Sequence, residues 1–243
     1  MEIVTLAERP DLEDAIWDLT TVWPRFMLED PIANLYYGNL NAWFEHSLVA
    51  LIDGTVAARA FSAAFSMDVP GREALPVDGW DGVVRWAHMD HLTERTATNA
   101  SALEIVVAQD LHGTGIATRM VEAMIRNVDR LGFRELVAPV RPSLKHLEPR
   151  TPMRDYVARV RPDGLPEDPW MRIHARLGAE TLSVCPTSMT IRGTIDEWAQ
   201  WTGTAFERNG DADVAGALVP VHVDVDQDHA VYVEPNVWMR HRW

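Results

Sequence analysis

The apolar positions of the chain change period several times, and each change predicts an element. Residues 2–6 (EIVTL) read as a short strand. Leu12, Ala15, Ile16 and Leu19 recur at helical spacing behind Asp11, which predicts a capped helix over 11–23 that Pro24 ends. Pro31, at the favoured first position, predicts a second helix over 31–46. Two apolar runs, 47–52 (SLVALI) and 55–65 (TVAARAFSAAF), flank Asp53-Gly54, a hairpin signal. Residues 66–82 carry Pro70, Gly71, Pro76, Gly79 and Gly82 and read as a loop, followed by a helix over 81–92. So long a connection suits a lid or binding loop, and equally a cover over an apolar sheet face.

The centre is a tighter unit. Leu103–Val107 is β-rich, His112-Gly113-Thr114-Gly115 is a turn, and Ile116, Met120, Met124, Ile125, Val128 and Leu131 recur at helical spacing up to Gly132. Leu136–Val140 is the next strand, so two neighbouring strands are expected to run parallel. Pro139 is disfavoured in a central strand unless the ladder is broken there. Beyond a Pro/Arg-rich stretch with a short helix over 153–160, Asp168-Pro169 predicts a helix start and Gly178 its end. Strands follow over 180–192 and 218–225, with a helix over 195–202 between them. Ala230–Val233 returns, and the tail to Trp243 is either a partner strand or irregular. The expectation is one α/β domain over 1–243, with insertions at about 66–98 and 143–168.

Composition narrows the classes. The 243 residues carry 22 Lys+Arg against 36 Asp+Glu, a net charge of −14, with one Cys and 10 Trp. One Cys excludes an internal disulfide framework and any multi-Cys zinc site. The acidic balance argues against nucleic acid and anionic membranes, which need clustered cations. No apolar run approaches ~18 residues, and the first ten residues lack the features of a signal peptide, so a cytoplasmic protein is expected.

The turn at 112–115 carries the first chemistry. Glycines between a strand and a helix let backbone N–H groups approach a pyrophosphate at the positive helix end. A P-loop is ruled out because GxxxxGK[ST] does not occur, and the dinucleotide fingerprint lacks its last glycine. The run His112-Gly113-Thr114-Gly115-Ile116-Ala117 resembles the (Q/R)-x-x-G-x-(G/A) motif of the GNAT acyltransferase superfamily, with His112 in place of Gln/Arg. The element order and the helix ending His174-Ala-Arg-Leu-Gly178-Ala resemble that superfamily as well. The resemblance implies the GNAT fold: a mixed central sheet whose parallel central strands splay apart, with flanking helices. It also implies an acyl-CoA (malonyl-CoA or acetyl-CoA) or acyl-phosphopantetheine between those strands, held by Val106, Val107, His112, Gly113, Thr114, Gly115, Ile116, Ala117 and Thr118, with no metal.

The C-terminal half is similar to a subgroup. Ala138-Pro-Val-Arg-Pro-Ser143, Thr151-Pro-Met-Arg154, the segment Arg161–His174 containing Asp168-Pro-Trp-Met-Arg-Ile-His174, Cys185-Pro-Thr-Ser-Met-Thr190 and Val233-Glu-Pro-Asn-Val-Trp238 resemble the GNAT-like loading domains of polyketide synthases, of the curacin synthase type. That likeness implies decarboxylation of malonyl-type thioesters, transfer of the acyl group to an acyl carrier protein, or both. It places the catalytic His at His174 and the catalytic hydroxyl at Ser143, with Trp23 and Arg192 as further site residues. Losing carbon dioxide leaves a thioester enolate, which needs a hydrogen-bond donor and then a proton. An imidazole serves both needs if its pKa lies near the working pH. The residues by themselves leave His174 open as a satisfied core histidine, and Ser143 as a turn residue after Pro142.

The alternative is an acetyl-CoA-dependent N-acetyltransferase of a small amine. Here Glu104, facing the opposite side from Leu103 and Ile105, is the base, and His174 takes the place of the acid beside the leaving thiolate. A third reading is a catalytically silent scaffold that binds CoA or a carrier protein. The pair His88-x-x-His91 has helical spacing but no third metal ligand, and Cys185 reads as a small core residue. Arg141, Lys145, Arg150, Arg154, Arg159 and Arg161 form a local basic segment. It is either plainly solvated or a dock for CoA phosphates or an acidic carrier protein.

Overall fold

The computed structural model describes residues 1–20 and 23–243. Among these residues nine strands join in one mixed sheet. They are β1 (Glu2–Thr5), β2 (Ser47–Ile52), β3 (Thr55–Phe65), β4 (Asn99–Val107), β5 (Glu135–Val140), β6 (Glu180–Gly193), β7 (Gly210–Ala212), β8 (Val221–Asp224) and β9 (His229–Arg242). The helices are α1 (Asn34–Tyr37), α2 (Gly79–Leu92), α3 (Ile116–Arg130), α4 (Met153–Val157), α5 (Pro169–Arg176) and α6 (Ile195–Thr202). The sheet order is β1-β2-β3-β4-β5-β9-β8-β7, with β6 also paired to β9.

The Asp53-Gly54 hairpin forms as predicted, because both residues take positive φ, 51° and 80°. β2 and β3 are buried on both faces, which is why their sequences read as continuous apolar runs. One face presents small residues, Ala50, Ala58, Ala60 and Ala100, and α3 lies against them through Met120, Met124 and Val128. The other face carries Val49, Leu51, Phe61 and Phe65 under Tyr36, Trp43 and the α2 residues Trp80, Val83, Val84 and Ala87. Each such buried side chain contributes roughly 1.5–3 kcal/mol relative to exposure.

The two long N-terminal helices expected over 11–23 and 31–46 do not form. The chain instead makes 3-10 turns at Pro10–Leu12, Ala15–Asp18, Arg25–Glu29 and Leu40–His46 around the single-turn α1. Asp11 pairs with Arg9 and caps nothing. Leu12 and Ile16 still bury, so the apolar spacing was a packing signal without a helix. Residues 21 and 22 of the expected first helix lie outside the described residues.

β4 and β5 are parallel, but they pair only at Ala100↔Leu136 and Ser101↔Val137. Past these residues the strands part. Pro139 lies beyond the last pair, where its missing N–H costs no ladder bond to β4. β4 also carries a bulge: Glu104 opposes Phe61 and Ala102 opposes Ser62, so Leu103 has no partner on β3. On its outer side β5 is zipped to β9 along its whole length, from Glu135↔Arg242 to Val140↔Val237. The tail is therefore a 14-residue strand at the centre of the C-terminal half. The splay of β4 from β5 leaves a V-shaped cleft.

Candidate active site

At one end of the cleft stands the turn before α3. Gly113 and Gly115 have φ of 77° and 88°, and a Cβ added at either would meet no atom within 4 Å. The backbone is thus bare on the side where the first N–H groups of α3, from Ile116, Ala117 and Thr118, have no helical partner. That arrangement fits a pyrophosphate. Ile116 is buried beneath it and anchors the helix start. His112 does not reach outward: its Nε2 lies 3.0 Å from the Val107 carbonyl and ties the turn to the end of β4. Thr114 Oγ1 likewise donates to Leu111 O at 2.6 Å. Beside the turn is an open recess of about 510 Å³ lined by Asp18, Leu19, Thr20, Ala108, Gln109 and Asp110.

On the α2 face the β4 bulge reverses the expected alternation. Leu103 packs with the cluster around Phe61 and Trp80, and Glu104 bonds to groups on that same side, so the two residues share a face. Ile105 points to the α3 face, as expected. Glu104 is not a free carboxylate. Arg59 donates to its Oε1 from Nε at 3.1 Å and from Nη2 at 2.8 Å, and Tyr37 donates to Oε2 at 2.6 Å. Both members of the ion pair are nearly buried, at 6% and 7% side-chain exposure. Arg59 also donates to Ile16 O and lies under the Trp17 ring at 4.8 Å. Burial and the Glu104 charge push the Tyr37 hydroxyl well up, so it stays a donor. Trp80 stacks on Tyr37 and sends its indole N–H to the Leu103 carbonyl at 3.0 Å.

On the other face α5 presents His174. Asp168 caps the helix, accepting from Trp170 N and Met171 N as its sequence predicts. The same carboxylate also takes Leu144 N–H and the Tyr156 hydroxyl, both at 2.9 Å, which ties the segment after β5 to the start of α5. Ser143 is exposed and points its hydroxyl at this carboxylate from 3.4 Å. His174 is 3% exposed, edge-on to Trp170, with Nδ1 3.0 Å from His241 Nε2. Burial, reinforced by His241, pulls its pKa down to about 3, so the ring is neutral at physiological pH. With Nδ1 engaged by His241, Nε2 is the atom left for chemistry.

The remaining expected residues sit elsewhere. Trp23 lies over the guanidinium of Arg141, 5.6 Å from ring centre to Cζ. Arg192 is exposed on β6 opposite Val231, apart from the cleft. Cys185 is buried and its thiol is pushed up to about 12 by burial, which rules out a thiolate nucleophile. No group of three or more metal-ligating side chains occurs among the described residues. The basic segment is not a free patch. Lys145 is fully buried and donates to the carbonyls of Glu148, Pro149 and Leu218. Arg141, Arg150, Arg154, Arg159 and Arg161 pair with Glu234, Asp213, Asp155, Glu148 and Asp163. Arg59, Tyr37 and Trp80 were missed by sequence reasoning, since they lie 24 to 67 positions from Glu104 along the chain.

No family model matches the chain. Over 272 aligned residues it is 29% identical to the arginine N-acetyltransferase avaD of Aspergillus versicolor, covering 98% of this chain and 92% of that protein. The loading GNATL domain of CurA from Lyngbya majuscula superposes with a TM-score of 0.55 at 13% identity, covering 99% of this chain and 96% of that one. The GphF GNAT-like decarboxylase, solved with isobutyryl-CoA, gives 0.51 at 13% identity over 100% and 99% of the two chains. At these identities the solved structures speak to architecture, and they do so over the whole length: the chain has the GNAT fold.

Proposed function

We propose that the chain is an acetyl-CoA-dependent N-acetyltransferase of a small cationic amine. The observation that carries this reading is the full-length likeness to an arginine N-acetyltransferase, at 29% identity against 13% for the loading domain and the decarboxylase. The bare turn at Gly113 and Gly115 suits the pyrophosphate of an acyl-CoA, and the parted β4 and β5 suit its pantetheine arm. That co-substrate supplies an activated acetyl thioester. Glu104, at the β4 bulge beside Arg59 and Tyr37, offers the carboxylate that holds an ammonium group in the cleft and takes its proton. His174, neutral at physiological pH, offers a hydrogen bond from Nε2 to the sulfur as charge develops there. The net charge of −14 favours encounter with a cationic acceptor.

The decarboxylase reading has its own support in the fold likeness and in His174 beside Trp170. It ranks second for two reasons. A ring that burial holds neutral at physiological pH offers an enolate an N–H bond but no imidazolium proton. The basic segment that an acidic carrier protein would meet is already paired internally. The test is thiol release and intact-mass analysis with acetyl-CoA plus a panel of amines, beside malonyl-CoA and a malonylated carrier protein. Thiol release from acetyl-CoA that requires an amine supports acetylation. Carbon dioxide loss from the malonyl thioesters without any amine overturns it in favour of decarboxylation.

A further inference from the structure

Behind His174 stands a second buried imidazole. His241 lies near the end of β9 and opposes Leu136 of β5, which pairs in turn with Ala100, where β4 and β5 still share a ladder. Its backbone is therefore fixed in the zipped part of the sheet and not in a parted wall of the cleft. Val237 and Met239, on the same strand face as His241, share an apolar cluster with Met171 of α5, so α5 packs on that face. The side chain of His241 is buried, and its Nε2 lies 3.0 Å from His174 Nδ1, with the ring centres 5.2 Å apart. Trp170 meets the His174 ring edge-on, with centres 4.8 Å apart. His174 is thus gripped by an indole from its own helix and an imidazole from the sheet.

The protons of the two rings can be placed by counting. Burial pulls both below the ordinary histidine value, so each ring is neutral at physiological pH and carries one proton. The bond between them takes one N–H and one lone pair, which leaves two arrangements. If His174 donates, the proton of His241 sits on its Nδ1. That atom is sealed from solvent without a hydrogen-bond partner; the Leu177 carbonyl at the end of α5 draws on the ring but makes no hydrogen bond with it. A buried N–H without an acceptor is the rarer orphan in folded proteins. If His241 donates from Nε2, only a lone pair is left bare at its Nδ1. The proton of His174 then sits on Nε2.

We infer that His241 is a positioning residue of the site: it donates from Nε2 to His174 Nδ1, holds the orientation of that ring and fixes its proton on Nε2. This rests on the acetyl-transfer reading, in which His174 donates to the thioester sulfur, and names the residue that makes His174 a donor there. In the other tautomer His174 would present a lone pair to a sulfur that gains negative charge, and the two would repel. The pair works without either ring ionising, which suits an apolar setting that resists charge.

The experiment reads the tautomers directly, by long-range proton–nitrogen NMR of the whole isotope-labelled protein near neutral pH, with His174→Gln and His241→Gln assigning the two signals. Both rings are expected to carry their proton on Nε2. A proton on Nδ1 of His174 overturns the inference, and this measurement needs no folded variant beyond those used for assignment. Thiol release on His241→Leu and His241→Gln then tests the consequence. Losing the donor in His241→Leu should lower kcat about 100-fold, with little change in KM for acetyl-CoA or amine, and should spread the His174 signal over both tautomers. The glutamine amide donates to the same atom, so His241→Gln should recover about tenfold of that loss. An unchanged kcat in His241→Leu, or equal losses in the two variants, overturns the role. The tautomer and turnover readouts separate this from the parent reading. A proton on Nε2 of His174 without amine-dependent thiol release removes the acetyltransferase and leaves the positioning of the ring. Amine-dependent thiol release with that proton on Nδ1 does the reverse.

Discussion

Trp80 Nε1 donates to the carbonyl of Leu103 at 3.0 Å, closing the hydrogen-bond account of a bulged residue that β3 leaves without a partner. The bulge turns Glu104 onto the α2 face, so the indole stabilises the one strand irregularity that orients the cleft carboxylate. Trp80→Phe keeps the ring and removes the donor. We expect a loss of about 1–2 kcal/mol in urea unfolding, with a larger fall in amine-dependent turnover than Ala87→Gly, a substitution on the same helix remote from the bulge.

The Arg59–Glu104 pair is buried, so breaking it from one side strands a charge. Glu104→Leu alone should cost about 3–5 kcal/mol. Pairing it with Arg59→Met should recover most of that stability without recovering activity. Recovery of both would show that Glu104 is structural only. Denaturant titration and thiol release on the three variants decide it.

His174 and His46 are both buried, and burial pulls them to about 3 and about 4. Each folded-state pKa lies below the unfolded value, so unfolding takes up protons. Their contribution to stability is complete above pH ~6.5 and is lost as pH falls. Asp81, buried in the first turn of α2, acts with the opposite sign, since its raised pKa favours the folded state most at low pH. In an Asp81→Asn background, stability should therefore fall from pH 6.5 to 4.5 with a slope approaching two protons. Adding His174→Gln should remove about one of them, as read by denaturation at a series of pH values.

Gly115→Ala places a side chain at φ 88° in open space, so its cost in the free protein is backbone strain of about 1–2 kcal/mol. Gly203→Ala, at φ 68° and also in open space after α6, carries a comparable strain far from the turn. Only Gly115→Ala should raise the KM for acetyl-CoA. Equal KM values in the two variants would remove the turn from the co-substrate site.

Local signals were legible wherever neighbours in sequence decide the structure. Asp53-Gly54 specified its hairpin, Asp168-Pro169 its helix start and Pro139 the break in the β4–β5 ladder. Ile116–Arg130 declared itself by period alone. The N-terminal segment misled because Leu12 and Ile16 bury from irregular backbone just as they would from a helix. The bulge at Leu103 was invisible, since one skipped residue changes the face of a side chain without any mark in composition. The pairings of Glu104 with Arg59 and of His174 with His241 span 45 and 67 positions, beyond any periodicity. Within the basic segment, Arg141 and Arg150 take Glu234 and Asp213 from the far end of the chain, while Arg154, Arg159 and Arg161 pair with Asp155, Glu148 and Asp163 close by.

The zipping of β5 to β9 gives the two walls of the cleft different folding histories. β4 belongs to a meander of near neighbours, β2-β3-β4, interrupted only by α2, and its contacts close short loops. β5 gains its outer partner only when a segment about 100 positions later docks, and closing so long a loop slows assembly. One wall should thus be in place before the other has an edge to lean on. Hydrogen exchange during refolding would see amides of β3 and β4 protected ahead of those of β5, and competence to bind CoA would appear with the later event.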